Sequence, residues 1–130
     1  MVGTDDTDSR GSHIAAKRSW GCVEYGCLED GSSPAKEFVN GLADGDKAKL
    51  AHLFEKLAET GKIFNTQKFR HEQGKIYSFK AGQVRIACFR IARRWILTHG
   101  FNKKQDRWPR SELERAENIM NRINTLEERA

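Results

Sequence analysis

Residues 74–110 contain three runs rich in β-branched and aromatic residues, separated only by short breaks. The runs cover residues 75–80, 83–91 and 94–101, and their composition is typical of half-buried strands. The first break contains Gly82, which can adopt the positive φ that a tight hairpin turn requires. The second break, Ala92-Arg93, has weaker turn chemistry. The pattern predicts an antiparallel meander of three strands.

Basic residues are concentrated in the same part of the chain. Residues 61–110 carry thirteen Lys and Arg and only two acidic residues, a net charge of +11, whereas the whole chain carries +5. The remaining residues therefore sum to −6. Such a field suggests a polyanionic partner, and the alternative is a solvated basic edge that keeps strands from aggregating. Arg85 and His99 favour the polyanion because they lie inside predicted strands.

The rest of the chain predicts one more strand and three helices. Residues 20–28 alternate loosely and are interpreted as the first strand. Ser33-Pro34 predicts the start of a helix that ends near residue 42. Asp46 can cap a second helix over residues 47–60, which Gly61 would end. The order β-α-α-β-β-β-α predicts an α+β fold with a small, mostly antiparallel sheet.

The third helix is predicted from residue 111 to about residue 127. Ser111 and Glu114 have the spacing of a capping box, and apolar residues recur behind them at helical intervals. We therefore expect one domain over residues 16–127, followed by a tail at 128–130. Residues 1–15 are almost without apolar side chains, which predicts a disordered segment or a cloning remnant.

Cysteine usage and hydropathy limit the other classes of protein. Cys22, Cys27 and Cys88 lack the spacing of zinc ligands, so we expect reduced thiols, no metal site and no cofactor. No apolar run approaches the roughly 20 residues that cross a bilayer, and no signal peptide is recognisable. We expect a cytoplasmic protein that does not bind a membrane.

The ordered motifs resemble those of a known protein family. One motif is His99-Gly100-Phe101 at a strand end, followed by Lys103-Lys104 and then by Pro109 and a helix with Glu112, Leu113 and Ala116. The other is Gln83-Val84-Arg85-Ile86, a strand that bears an inward Arg after a hairpin. Over residues 20–123 the chain resembles the RelE/ParE toxin superfamily, most closely its HigB-like, phage-derived Gp49-like branch.

The resemblance implies a RelE-like fold and the toxin of a type II toxin–antitoxin pair. HigB-like toxins are mRNA interferases, endoribonucleases that cut mRNA in the ribosomal A site without a metal. The expected partners are mRNA, the ribosome and a cognate antitoxin of the helix-turn-helix type, with operator DNA bound only through that antitoxin. The ParE branch shares the scaffold but inhibits DNA gyrase without nuclease activity. An inactive homologue that serves as a nucleic-acid- or antitoxin-binding co-repressor also stays open.

Five residues are candidates for catalysis. Arg85 matches the strand arginine of the family, and its planar guanidinium suits a phosphate clamp, although a structural ion pair is the alternative. His99 is the natural group for proton transfer at neutral pH, with a structural hydrogen bond as the equal alternative. Lys103 and Lys104 occupy the position where relatives carry basic catalytic groups. Lys80 aligns loosely with strand lysines that act in some relatives.

Five further residues are candidates for RNA or phosphate binding. Lys75, Arg70 and His71 lie beside the first predicted strand of the meander, and Arg107 lies in the basic loop after the last one. Trp108 can stack on an unpaired base, or it can pack against the last helix. The chain lacks the tyrosine that RelE carries after the basic loop, and Trp108 cannot replace it in proton transfer.

Overall fold

Six strands form one mixed sheet in the computed structural model, which describes residues 13–104 and 107–129. In chain order they are β1 (Ile14–Lys17), β2 (Cys22–Tyr25), β3 (Phe69–Gln73), β4 (Ile76–Ala81), β5 (Val84–Ile91) and β6 (Arg94–Asn102). The order across the sheet is β1-β2-β6-β5-β4-β3. Strands β2 and β6 are parallel, and every other neighbouring pair is antiparallel. Three helices complete this part of the chain: α1 (Pro34–Asn40), α2 (Asp44–Thr60) and α3 (Arg110–Arg129).

The predicted meander is present as β4, β5 and β6, with ends within one residue of the predicted ones. Gly82 turns the chain between β4 and β5 with φ of 60°, as its lack of a Cβ allows. Ala92 makes the next turn with φ of 54°, a conformation that costs a non-glycine residue some strain. An α+β architecture is therefore confirmed.

Two strands were not predicted. β1 contains two alanines among four residues, and β3, with the sequence FRHEQ, buries only Phe69. Neither segment shows the apolar alternation by which a strand is recognised, and both are held by pairing with a neighbour. The predicted disorder up to residue 15 is wrong at its end, because β1 begins at Ile14. The rest of that prediction, residues 1–12, lies outside the described residues.

The helix starts were predicted with mixed success. Ser33 caps α1 as expected, and its hydroxyl accepts from the backbone N–H of Lys36 at 3.3 Å. Gly61 ends α2 in the left-handed conformation with φ of 79°. Asp46 is not the cap of α2, because that helix begins two residues earlier, at Asp44. The acidic residues of its first turn still face the positive end of the helix dipole.

The predicted start and end of the third helix are also slightly wrong. Helix α3 begins at Arg110, so Ser111 lies inside its first turn instead of capping it. Glu114 pairs with Arg110 at 3.3 Å across that turn. At the other end the helix continues to Arg129, through most of the predicted tail.

The helices cover both faces of the sheet. On one face α1 and α2 pack over Phe79, Ile86 and Leu97. On the other face α3 packs over Ile76, Ala87, Phe89 and Ile96 through its buried residues Ala116, Ile119, Met120 and Ile123. Within the described residues, none of the helices combines the length and apolar composition that a membrane crossing requires.

Candidate active site

A cleft of about 450 Å³ lies between the sheet and the first turn of α3. Its walls come from β3, β4, β5 and the segment that joins β6 to α3. The lining residues are Arg70, Glu72, Gln73, Lys80, Arg85, Lys103, Arg107, Trp108, Arg110 and Leu113. Of these described lining residues six are Arg or Lys and one is acidic, so this part of the cleft is strongly cationic.

Strand alternation brings these side chains to one face. Arg70 lies opposite Ser78 on β4, and Lys80 lies opposite Arg85 on β5. Directly opposed residues in antiparallel strands point to the same side, as do residues two apart in a regular strand, so Arg70, Lys80 and Arg85 share one face. Glu72 lies where the register of β3 shifts, and its hydrogen bond with Ser78 places it on the same face. The four residues form a patch across three strands, beyond the area that α3 covers.

Arg85 is the most buried cation of the cleft, with 8% of its surface exposed. Its Nη1 donates to the carbonyl oxygens of Gly82 at 2.6 Å and of Val84 at 2.9 Å. Its Nε is buried and has no hydrogen-bond acceptor among the described residues. Burial lowers the pKa of Arg85, Glu72 opposes that change and Arg70 adds to it. A guanidinium group nevertheless stays charged at neutral pH, so Arg85 is a fixed cation with an unused donor.

Lys80 lies beside Arg85 and is half-buried. Its Nζ donates to the carbonyl oxygen of Thr66 at 3.3 Å. Burial lowers the pKa of Lys80, and the charges of Arg85, Arg70 and Lys103 lower it further. Cations that repel one another in this way are stabilised when an anion sits between them.

Glu72 is the acidic residue among the described residues that line the cleft. Its Oε2 accepts a short hydrogen bond from the Ser78 hydroxyl and lies 3.7 Å from Nε of Arg70. Glu72 was not predicted as a site residue, because its position depends on the unpredicted strand β3. The available signal was its rarity, since it is one of two acidic residues in the +11 stretch.

Six of the ten candidate residues line the cleft, and four do not. The six are Arg70, Lys80, Arg85, Lys103, Arg107 and Trp108. Lys104 is exposed outside the cleft lining. His71 and Lys75 belong to a separate groove on the other face of β3, which Arg70 also lines.

His99 is also absent from the cleft lining, because its side chain is completely buried. Its Nε2 lies 2.9 Å from Oε1 of Glu112, and its Nδ1 lies 3.3 Å from Oγ1 of Thr98. Burial lowers the pKa of His99, and the hydrogen bond to Glu112 opposes this. The arrangement fits a neutral ring that donates to Glu112 and so links β6 to α3.

The residues around His99 support the cleft wall. Phe101 stacks on the His99 ring at 5.8 Å and contacts Trp108 edge to face at 4.6 Å. Nε1 of Trp108 is buried without a hydrogen-bond partner among the described residues. Trp108 thus packs beside α3, one of the two alternatives predicted for it, and also lines the cleft.

Fold and cleft together define a small α+β protein with a strongly cationic cleft. The model of the family "Phage derived protein Gp49-like" matches residues 37–121, which is more than half of the chain. The chain therefore belongs to this family, which is a family of RelE/HigB-like toxins. Membership indicates the toxin of a toxin–antitoxin pair, with an antitoxin as its partner, and the family is associated with nuclease activity. A search among curated proteins returned no match.

Among residues 13–104 and 107–129, no three His, Cys, Asp or Glu side chains lie close enough together to hold a metal ion. The cations of the cleft lie beside the carboxylate of Glu72, which the hydroxyl of Ser78 contacts.

Proposed function

We propose that the protein is a ribosome-dependent mRNA endonuclease with a RelE-like fold and that the cationic cleft is its active site. The supporting observation is Arg85, a buried guanidinium with an unused Nε donor, grouped with Arg70, Lys80 and Lys103. Such a cluster is complementary to a phosphate group whose negative charge increases during reaction. RNA supplies both that phosphate and, in its 2′-OH, an internal nucleophile.

In the first step Glu72 accepts the proton of the ribose 2′-OH. The 2′ oxygen then forms a bond to the adjacent phosphorus, which gains charge as a phosphorane. Glu72 suits this role because it is the carboxylate among the described residues of the cleft, and the Ser78 hydroxyl and Arg70 orient it. Arg85 and Arg70 stabilise the phosphorane through hydrogen bonds that strengthen as charge develops.

In the second step the bond from phosphorus to the 5′ oxygen breaks, and the leaving oxygen takes a proton. We assign the donor to Lys80, because its lowered pKa makes it a stronger acid than an ordinary lysine. The products are a 2′,3′-cyclic phosphate and a 5′-hydroxyl end. In this scheme, residues that line the cleft accept and donate each proton and stabilise the charge that develops on the phosphate.

The remaining candidates take supporting roles. Lys103 and Arg107 contact flanking phosphates, and Trp108 offers a stacking surface for a base at the cleft wall. His99 is a positioning residue that acts through Glu112 and Phe101. Lys104 adds charge outside the cleft.

The experiment that tests the function is the mapping of transcript ends after brief induction in a host. The expected cuts lie inside translated reading frames, in codon register, and carry 5′-hydroxyl and 2′,3′-cyclic phosphate ends. Untranslated RNA should stay intact. Growth arrest with uncut mRNA would contradict the proposal and favour a gyrase inhibitor, and normal growth with uncut mRNA would favour a binding module.

A further inference from the structure

A second groove, of about 500 Å³, lies on the opposite face of β3 from the cleft. Its floor contains the aromatic rings of Phe69, Tyr77 and Trp95, which pack against one another at centroid distances of 5.1–5.7 Å. Phe64 lies at the rim with 86% of its surface exposed. It is the exposed large hydrophobic residue of the described part of the chain, and it adjoins the other rings of the groove. An exposed apolar surface that continues into a groove is typical of a binding site.

The charges of the groove indicate the chemistry of that partner. Lys62, Arg70, Lys75 and Arg90 line it, and no acidic residue is among its described lining residues. Lysine is depleted at the centre of protein–protein interfaces, whereas cations beside aromatic rings are typical of sites for single-stranded nucleic acid. Bases stack on the rings there, and phosphates pair with the cations.

The groove is continuous with the cleft around the edge of the sheet. Arg70 lines both, and the carbonyl oxygen of Thr66, another groove residue, accepts from Nζ of Lys80 in the cleft. β3 is the last strand on its side of the sheet, so no further strand of the described chain blocks the passage. A flexible polyanion can therefore occupy both sites at once.

We propose that the groove binds an unpaired nucleotide of the same RNA whose scissile phosphate enters the cleft, with its base stacked on Phe64. The inference rests on the proposed function, because the cleft has to hold RNA. It adds a binding site outside the reacting atoms, which sets how much flanking single strand the protein requires.

The test measures binding of a labelled oligouridine of about ten nucleotides, a length typical of single-strand sites. Phe64→Tyr keeps an aromatic face and should bind like the unaltered protein. Phe64→Leu keeps apolar bulk but removes the ring, and should weaken binding about tenfold, as expected for one lost stacking contact. Lys62→Ala should weaken binding about threefold, whereas Lys49→Ala, an equal change of charge on the exposed side of α2, should not.

Several outcomes would overturn the inference. Unchanged binding by Phe64→Leu, or equal losses in the Lys62→Ala and Lys49→Ala variants, would exclude a stacking site at the groove. So would an unaltered protein that does not bind the oligouridine. If Phe64→Leu binds RNA normally but no longer binds the co-expressed antitoxin, the groove is a protein-docking surface instead. Transcript mapping is independent of these results, so failure of the groove and failure of the nuclease proposal are distinguishable.

Discussion

Glu72 is the carboxylate that faces the cations of the cleft in the described part of the chain. Every other charged residue among the described lining of the cleft is a Lys or Arg, and a protonated cation cannot accept the proton of a 2′-OH. The hydrogen bond from Ser78 and the proximity of Arg70 hold Glu72 in place. The role of Glu72 as the proton acceptor is therefore the part of the proposed mechanism that a single substitution tests most directly.

Replacing Glu72 by Gln should lower the rate of mRNA cleavage about 10²–10⁴-fold, the usual contribution of a general base. Glutamine keeps the size of the side chain and can still accept from Ser78, but it cannot take up a proton. The rate is measured in a reconstituted translation system, with Glu128→Gln at the exposed end of α3 as the control. Full activity of Glu72→Gln would exclude the assignment, and weaker binding with an unchanged rate would make Glu72 a positioning residue.

His99 should make the protein less stable in acid. Its pKa in the folded state is lowered, so the unfolded chain binds the proton more tightly. The contribution of the neutral His99 ring to the free energy of unfolding is fully present above the ordinary pKa of about 6.5 and is lost as the pH falls below it. Urea unfolding between pH 7.5 and pH 5, values that bracket that ordinary pKa of about 6.5, should show a falling free energy of unfolding.

The His99→Gln variant provides the contrast. It should be less stable at neutral pH, because it loses the buried ring, and its stability should depend less on pH over that range. His52→Gln, on the exposed side of α2, is the control and should follow the unaltered protein. A free energy of unfolding that stays constant for the unaltered protein would contradict this account of His99.

At the scale of single residues, the cations that line the cleft were easier to predict from the sequence than Glu72 or the surroundings of His99. Arg85 was predicted because a charged residue inside a strand pattern is conspicuous, and Lys80 because it aligns loosely with strand lysines of some relatives; both line the cleft. The burial of His99 could not be predicted, because it depends on α3 returning over β6 to present Glu112. Glu72 was missed because its place in the cleft depends on the pairing of β3 with β4.

Between elements, Gly100 allows close approach of α1 to β6. A Cβ added there would lie 2.3 Å from a ring carbon of Phe38 and 2.7 Å from Ile86. The motif His99-Gly100-Phe101 is thus explained by packing: one residue contacts α3, the next admits α1, and the third supports Trp108. The motif therefore supports the wall of the cleft through packing.

Gly100→Ala should lower the free energy of unfolding by about 1–3 kcal/mol, the usual cost of overpacking. Gly45→Ala is a matched control in the first turn of α2, where a new Cβ meets nothing within 4 Å. That change should be neutral or stabilising, by up to about 1 kcal/mol, because alanine favours a helix. Urea unfolding of both variants checks the prediction, and equal effects would contradict the packing account.

The elements themselves were predictable where the pattern is strong. Strands β4, β5 and β6 have apolar alternation and turn residues, so their limits were correct within one residue. The edge strands β1 and β3 have little apolar content of their own, since edge strands are commonly short or polar. Their position comes from partners that are distant in the sequence, which a local pattern does not contain.

Over the whole molecule, the +11 stretch serves more than one purpose. Arg94 makes paired hydrogen bonds with Glu24 on β2 and Glu127 on α3 at 2.7–3.1 Å, and so joins two strands of the sheet to α3. That charge is neutralised within the fold. Other cations of the stretch line the cleft or the groove, on the two sides of β3, and some, such as Lys104, line neither. Net charge along the sequence therefore does not by itself locate the site.

Growth after induction of two single-charge variants tests the central claim most directly. Arg85→Ala removes a cation inside the cleft, whereas Lys104→Ala removes an exposed cation outside its lining. With circular dichroism confirming that both variants fold, we predict that Arg85→Ala abolishes growth arrest and that Lys104→Ala keeps most of it. Full toxicity of Arg85→Ala, or equal loss in both variants, would contradict the assignment of the cleft as the active site.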